Sequence, residues 1–447
     1  MTTSTNKGLM KATAIVNSRM EFYCTAGRGT QSFVSMELKE TFSENVQVKS
    51  TDGKTYFTIQ NTENDLYNKL MSLKSVERIF VQCVLENFDK LDRRGLLTLL
   101  HKKLGDVVSW KKCMDTLYKV EQNLTGDEVK QTDSDTEYEP ARKRTKWTFR
   151  VNCRFSGFAK KQLDNKKTSK QMGVLISKTL GWRTDLKNPR YEINIHLSDD
   201  TLSVGIPLYN KPLSERTYIK YCRLRTPIAW IMIKLLHIQY SDVILDPMCG
   251  CATILIEAAH CFKRSSYIGI DKDMSQLKLA SENIDFASQH SVDISLIHGD
   301  ARNISLLDNS VNHIITDAPF GQNHKVPGDL QSFYVDVLME MYRVLQPGGR
   351  IVILTSPKLC EFLKTILKLS SELCHEGDIN NSCRNDADNS DSQLKSMSHN
   401  DLDHVCDNSS VACHKQLTML EMLYVYNVKL GETDGCICVI HKLYNHG

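Results

Sequence analysis

Three short segments carry acidic residues where an α/β chain would meet a charged nucleoside. The first is Asp246-Pro247-Met248-Cys249-Gly250-Cys251-Ala252-Thr253, directly after an apolar run and directly before the apolar stretch Ile254 to Ala259. A strand, a tight turn and a helix in that order bring backbone N–H groups and a helix N-terminus against a ligand. Gly250 lets the chain approach closely because no Cβ stands in the way. The turn opens with the carboxylate of Asp246, which would repel a pyrophosphate and attract a ligand carrying an amino group and a sulfonium. It also lacks the Gly-x-Gly-x-x-Gly spacing of a dinucleotide-binding turn. Asp271, in Gly269-Ile270-Asp271-Lys272-Asp273, stands where a carboxylate accepts both hydroxyls of a ribose. Asp300, in Gly299-Asp300-Ala301-Arg302, is placed for an adenine amine. Any one of these acids could be a helix N-cap. Three at successive strand ends read as one nucleoside site, with Asp246, Met248, Gly250, Thr253, Asp271, Lys272, Asp300 and Ala301 as candidate binding residues.

A further segment, Thr316-Asp317-Ala318-Pro319-Phe320-Gly321, suits chemistry on a base. An exocyclic amine is a poor nucleophile because its lone pair is delocalised into the ring. A carboxylate and a backbone carbonyl that accept its hydrogens draw the nitrogen toward sp³ geometry and free the lone pair. Asp317 supplies the carboxylate and Ala318 a carbonyl. Pro319 fixes the backbone, and Phe320 offers a ring for base stacking at about 1–3 kcal/mol. A direct in-line displacement from the sulfonium then needs neither a metal nor a covalent intermediate, and positioning provides most of the acceleration. Asp followed by Pro can also be an ordinary strand-end turn.

These residues need a sheet to hold them. From 218 onward the pattern alternates strand and helix, with strand-like segments at Val243–Asp246, Tyr267–Asp271, Ile294–His298, His313–Thr316, Arg350–Leu354, Leu420–Val428 and Cys436–His441. Such alternation predicts an α/β fold with a parallel sheet covered on both faces. The last two segments have no helix between them and read as a hairpin closing one edge. Upstream, Glu21–Cys24, Ile79–Cys83, Trp147–Asn152 and Tyr191–His196 read as strands, Ala26-Gly27-Arg28-Gly29 as a turn and roughly 168–180 as a helix. Residues 124–140 form an acidic linker. Residues 371–414 carry nine acidic and two basic side chains with many Ser and Asn, and read as a disordered insertion. Its cysteines and histidines make a zinc site conceivable, but their spacings are irregular and lack a Cys-x-x-Cys, so a plain loop without metal is the expectation.

The net charge is only +3, yet residues 141–190 hold fifteen Lys or Arg against two Asp. A single basic block is the footprint of a polyanion partner, and it nominates Arg142, Lys143, Arg144, Lys160, Lys161, Lys166, Lys167 and Arg183 for that partner's phosphates. Lysine-rich surface is also often just a solvated face. Trp147, Phe149, Phe155, Phe158 and Trp182, interspersed in the block, read as core. Fifteen cysteines are scattered along a chain with no secretory signal, which predicts reduced thiols. No run of about 20 apolar residues is present, so no membrane span is expected, and a soluble, intracellular protein is the reading.

Taken together, the Asp246 and Asp317 motifs resemble a class I (Rossmann-like) methyltransferase acting on exocyclic amines. Leu224-Arg225-Thr226-Pro227-Ile228-Ala229 resembles the helix start preceding the catalytic domain in THUMP-containing RNA methyltransferases. Phe149-Arg150-Val151, Gly181 to Ile193 and Val204-Gly205 look like the core of a THUMP domain. The resemblance to this guanosine N2-methyltransferase family implies an N-terminal ferredoxin-like region at 1–85, a THUMP RNA-binding domain at 86–207 and a methyltransferase domain at 208–447. It implies S-adenosyl-L-methionine as cofactor, with Arg225 joining the cofactor residues. It implies the N2 amine of guanosine in tRNA or spliceosomal small nuclear RNA as target, and a small zinc-binding methyltransferase activator as heterodimer partner. The chain departs from the family pattern at Ala252, where Gly is usual, and at Thr226-Pro227, which inverts Pro-Thr. Two other readings stay open. One is an RNA-binding protein with an inactive methyltransferase domain. The other is methylation of an adenine or cytosine amine, or of DNA. The cluster Arg142-Lys143-Arg144 makes the nucleus a more natural location than the cytosol.

Overall fold

The computed structural model describes residues 19–43, 46–51, 53–60, 65–122, 147–289, 292–320, 330–377 and 416–444. It contains two sheets, in two compact units. The first is built from β1 (Arg19–Thr25), α1 (Gln31–Phe42), β2 (Gln47–Thr51), β3 (Lys54–Gln60), α2 (Leu66–Met71), β4 (Arg78–Asn87), α3 (Arg93–Leu104), α4 (Val107–Gln122), β5 (Thr148–Phe155), α5 (Gly157–Gln162), α6 (Asn165–Leu180), β6 (Arg183–Thr184), β7 (Tyr191–Leu197) and β8 (Thr201–Pro207). Its eight strands run in the order β2-β3-β1-β4-β8-β7-β5-β6. In β7 the residues Tyr191, Ile193, Ile195 and Leu197 are buried and alternate with half-exposed neighbours, the period-two signature of a strand with one inward face. The expected 85/86 boundary falls inside β4, which pairs with β1 on one side and β8 on the other. Trp147, Phe149, Phe155 and Trp182 lie within this unit, and Trp182 meets Trp147 and Phe149 edge to face. Against the expectation of reduced thiols, Cys83 of β4 and Cys113 of α4 form a disulfide, because α4 packs on β4 and brings their Cα atoms to 4.9 Å.

The second unit comprises α7 (Thr226–Leu236), β9 (Val243–Asp246), α8 (Thr253–Cys261), β10 (Ser266–Asp271), α9 (Met274–Ser288), β11 (Ser295–His298), β12 (Val311–Asp317), α10 (Leu330–Val344), β13 (Leu345–Thr355), α11 (Pro357–Gly377), β14 (Leu420–Leu430) and β15 (Thr433–Lys442). Two N-terminal segments, Ala26–Val34 and Lys74–Glu77, fold with it. The sheet order is β11-β10-β9-β12-β13-β15-β14, with the first five strands parallel and a terminal antiparallel hairpin. The central strands are apolar on both faces, as a sheet covered twice requires. Ile244, Ile315 and Val352 pack under α7, α8 and α9. Their neighbours Leu245, Ile314, Ile351 and Ile353 pack under α10 and α11. The strands fall where the apolar runs predicted them. The insertion was expected to begin at 371, but α11 continues to Gly377. The remainder of that insertion, the acidic linker at 124–140 and Arg142, Lys143 and Arg144 lie outside the described residues.

Candidate active site

Parallel register aligns the strand ends. Asp246 closes β9 opposite Gly269, Asp271 closes β10 opposite His298, and Asp317 closes β12 opposite Leu354. Asp300 follows β11 by two residues. All four acids therefore sit at the carboxyl rim of adjacent strands, the place where open α/β sheets bind ligands. Gly269 admits the cofactor turn: a Cβ there would meet the Cys249 sulfur at 2.9 Å. The turn is tied to β10 by Cys249 N–H donating to the Ile270 carbonyl at 2.9 Å and by Gly250 N–H donating to Asp271 Oδ2 at 2.8 Å. Gly250 has φ +53° with open space where a Cβ would point. Ala252 is also left-handed, at φ 61°, and fully buried. That conformation costs an alanine about 1 kcal/mol.

Asp246 is buried and accepts the Met248 N–H at 3.1 Å. It has no Lys or Arg partner among the described residues. Loss of solvation, reinforced by the charges of Asp271 and Asp317, raises its carboxyl to about 8. Asp271 accepts the N–H groups of Gly250 and Asp273, one on each oxygen. Asp300 differs. Arg302 and Lys272 both hold it, with Lys272 Nζ 3.0 Å and Arg302 Nη2 2.8 Å from Oδ2 and the Arg302 N–H and Nε on Oδ1. These contacts, Arg302 foremost, pull its carboxyl well below the usual range and fill its four acceptor sites. An adenine amine could use Asp300 only if Lys272 or Arg302 moved aside. Ala301 is buried beneath.

At the end of β12, Ala318 N–H donates to the Leu354 carbonyl at 3.0 Å. The buried Tyr334 hydroxyl of α10 donates to the Pro319 carbonyl at 3.1 Å and meets Thr355 Oγ1 at 2.9 Å. Among the described residues no backbone N–H donates to the Ala318 carbonyl, which leaves it an acceptor next to Asp317 in the chain. Solvent reaches Asp317 at the rim, while protein crowds its other sides and pushes its carboxyl up to about 6. Phe320 is half-buried and packs on the α7–α8 core, and Met248 and Ala318 line one small apolar void with Tyr334 and Phe333.

Residues 214–386 match the family model of the RMKL-like methyltransferase domain, and residues 116–206 match that of the THUMP domain. The U6 snRNA (guanine-N(2))-methyltransferase THUMPD2 of Bos taurus is 33% identical over 401 residues, covering 75% of this chain and 78% of that protein. Its Homo sapiens counterpart is 30% identical over 504 residues, covering 95% and 96%. The chain belongs to the THUMP-domain methyltransferases. Among solved structures of similar fold, TrmN from Thermus thermophilus superposes with a TM-score of 0.61 at 19% identity, covering 95% of this chain and 100% of that one.

Within this THUMP-domain methyltransferase, two cofactor candidates turn elsewhere. Arg225 precedes α7 and pairs with Glu77 at 2.6 Å, beside the β14–β15 turn at Gly431. Thr253 is buried, and its hydroxyl meets the Arg223 N–H at 3.3 Å. Sequence reading missed Asn283 of α9. Fully buried, it accepts the N–H groups of Lys220 and Tyr221 at 2.8 and 3.2 Å and donates to the carbonyls of Tyr221 and Cys251 at 2.9 and 2.8 Å. It thus fastens the segment before α7 to the cofactor turn. An Asn in mid-helix was the available signal, since such a residue needs a reason to be there. In the THUMP-containing unit, Lys160 and Lys161 end α5, Lys166 and Lys167 open α6, and Arg183 lies on the edge strand β6, all exposed. None of the five has a carboxylate partner among the described residues. No described helix is long and apolar enough to cross a membrane, and no described cluster of His, Cys, Asp and Glu could hold a metal.

Proposed function

We propose that this protein is an S-adenosyl-L-methionine-dependent RNA methyltransferase acting on the N2 amine of guanosine, with U6 small nuclear RNA as first substrate and tRNA as second. The observation that carries the reading is the Asp317-Ala318-Pro319-Phe320 turn on the same strand-end rim as Asp246 and Asp271. The donor set fits the cofactor. Asp246 is a buried carboxyl without a cation, Asp271 retains acceptor capacity for ribose hydroxyls, and the left-handed Gly250 leaves open space. When bound, the cofactor supplies an electrophilic methyl group. Asp246 would neutralise positive charge on it, and Asp271 would orient its ribose. Asp317 and the Ala318 carbonyl would accept the two amine hydrogens and aim the nitrogen lone pair, while Phe320 stacks the base. The amine proton released on methylation would leave through Asp317.

The relatives named for U6 snRNA support the choice of RNA. Lys160, Lys161, Lys166, Lys167 and Arg183 would hold its phosphates without reading sequence, and Arg142, Lys143 and Arg144 would add to them. We further propose a small zinc-binding activator as partner and the nucleus as location. Copurification from cells with zinc analysis, and imaging of the tagged chain with and without Arg142-Lys143-Arg144, test these two points. The central test is labelled methyl transfer to U6 transcript and to tRNA with the activator present, followed by nucleoside analysis. N2-methylguanosine should form and fall at least ~100-fold in Asp317→Ala. Activity persisting in that variant, or another methylated nucleoside, would sink the reading.

A further inference from the structure

Thr316 stands on β12 between Ile315 and Asp317 and is fully buried. Its hydroxyl has no hydrogen-bond partner among the described residues. A valine has nearly the same shape and would fill such a strand position without burying a polar group. A buried hydroxyl left unsatisfied therefore needs a reason. Parallel register supplies the neighbour. β12 lies beside β9 with Ile314 opposite Leu245, so Thr316 and Asp246, which follow that pair, come together where the two strands end. Burial lifts the Asp246 carboxyl, and the Met248 N–H and the Thr316 hydroxyl oppose that lift from close by. The Met248 N–H occupies Oδ1 at 3.1 Å, and Oδ2 accepts no hydrogen bond among the described residues. The other groups whose charge reaches Asp246 are Asp271 of β10, Asp317 of β12 and the Cys249 thiol, which burial keeps neutral.

We propose that Thr316 is a positioning residue for the cofactor: its hydroxyl turns onto Asp246 and donates to that carboxylate when the cation of the cofactor meets it. This deepens the cofactor reading above and rests on it. In the free protein at neutral pH Asp246 holds its proton, and the Thr316 hydroxyl is idle. A cation brought beside Asp246 favours the charged form. The carboxylic proton then passes to solvent, and an ionised group shut away from water needs donors. The Met248 N–H is one and the Thr316 O–H the second, so the carboxylate is held in one orientation toward the cation. The hydroxyl contributes only in the occupied state. Its effect therefore falls on affinity and not on folding.

The test is calorimetry of the full chain with S-adenosyl-L-methionine at about pH 6.5, where the cofactor's amino group stays charged, paired with thermal melts of the cofactor-free protein. Thr316→Val should weaken cofactor binding at least ~5-fold, as loss of a hydrogen bond to a charged group does. Its melting temperature without cofactor should stay equal or rise, because an idle buried hydroxyl has been removed. Thr316→Ser restores the hydroxyl and should bind within ~3-fold of the parent chain. The parent chain should release close to one proton per cofactor bound, read from the binding enthalpy in phosphate and in Tris buffer. A smaller loss in Thr316→Val, or a Thr316→Ser chain as weak as Thr316→Val, would show that the hydroxyl plays no part and would leave the cofactor reading standing. A melting temperature that falls together with affinity would make Thr316 a structural residue. Absence of proton release would mean that Asp246 does not change charge. Either result overturns the proposal. If the parent chain, alone or as copurified from cells, binds no cofactor, the cofactor reading falls and this inference with it.

Discussion

Asp317 must be ionised to accept amine hydrogens, and its carboxyl is held at about 6. The proposed reaction should therefore lose kcat/KM about tenfold per pH unit below 6 and be flat above 7, measured in the free-enzyme profile. An acid limb near 4 instead would show that substrate-facing chemistry does not run through this carboxylate. Asp246 is the buried counterpart. Its folded carboxyl lies near 8, above the ordinary aspartate value of 3.8, so the folded protein without cofactor keeps a proton there between those values. The cost of ionising it in the folded state is absent below about pH 4 and grows as pH rises toward 8. Asp246→Asn should thus raise stability by about 1–3 kcal/mol at pH 7, more at pH 8 than at pH 5, while cofactor binding is lost. Equal stability at both pH values would contradict the assignment. Ala252 is a third case, since its left-handed backbone is strained for any residue with a Cβ. Ala252→Gly should stabilise the fold by up to about 1 kcal/mol and tighten cofactor binding, seen by thermal melts and calorimetry. A destabilised variant would mean that the methyl group's packing outweighs the strain.

At the scale of elements, the strands at the rim were legible because each is a short apolar run ending in an acid. The near-continuous apolar run that buries β9 and β12 on both faces is a local property of the chain. What holds the turn in place was not legible. Asn283 contributes four hydrogen bonds between α9, the 220–221 segment and Cys251, partners up to 63 residues away. Asn283→Ala would leave two part-buried N–H groups and two carbonyls without it, at a cost of about 3 kcal/mol. Denaturant midpoints should fall, and cofactor affinity should fall more than that loss alone explains. An unchanged midpoint would show that these groups find other partners. Asp300 gives the opposite lesson. Its place in the strand order was readable, whereas its engagement by Lys272 and Arg302 follows from side chains meeting at the rim.

At the scale of the molecule, the second unit includes pieces of chain from far upstream. Arg216 and Glu257 are both buried as an ion pair at 3.0 Å, Tyr218 donates to Glu257 at 2.7 Å, and Arg216 also donates to the Lys74 carbonyl at 2.8 Å. Phe33 packs edge to face on Tyr426, and Lys429 N–H donates to the Arg28 carbonyl at 3.0 Å. A chain truncated to 208–447 would lose Ala26–Val34 and Lys74–Glu77 and bare the apolar surface under Phe33. Its melting temperature should drop by several degrees, and adding back residues 1–207 on a separate chain should recover part of it. A truncated unit as stable as the full protein would show that these segments are incidental. The amino-acid order by itself determined the α/β alternation, the four acids at strand ends and the basic block, because each is written in residues close together along the chain. Tertiary structure alone decided which acids keep free acceptors, that α3 packs on α5 and α6, and that two N-terminal segments complete the second unit. Apart from Arg302 on Asp300, those outcomes depend on groups separated by dozens to hundreds of residues, and only packing brings them within hydrogen-bond or van der Waals reach.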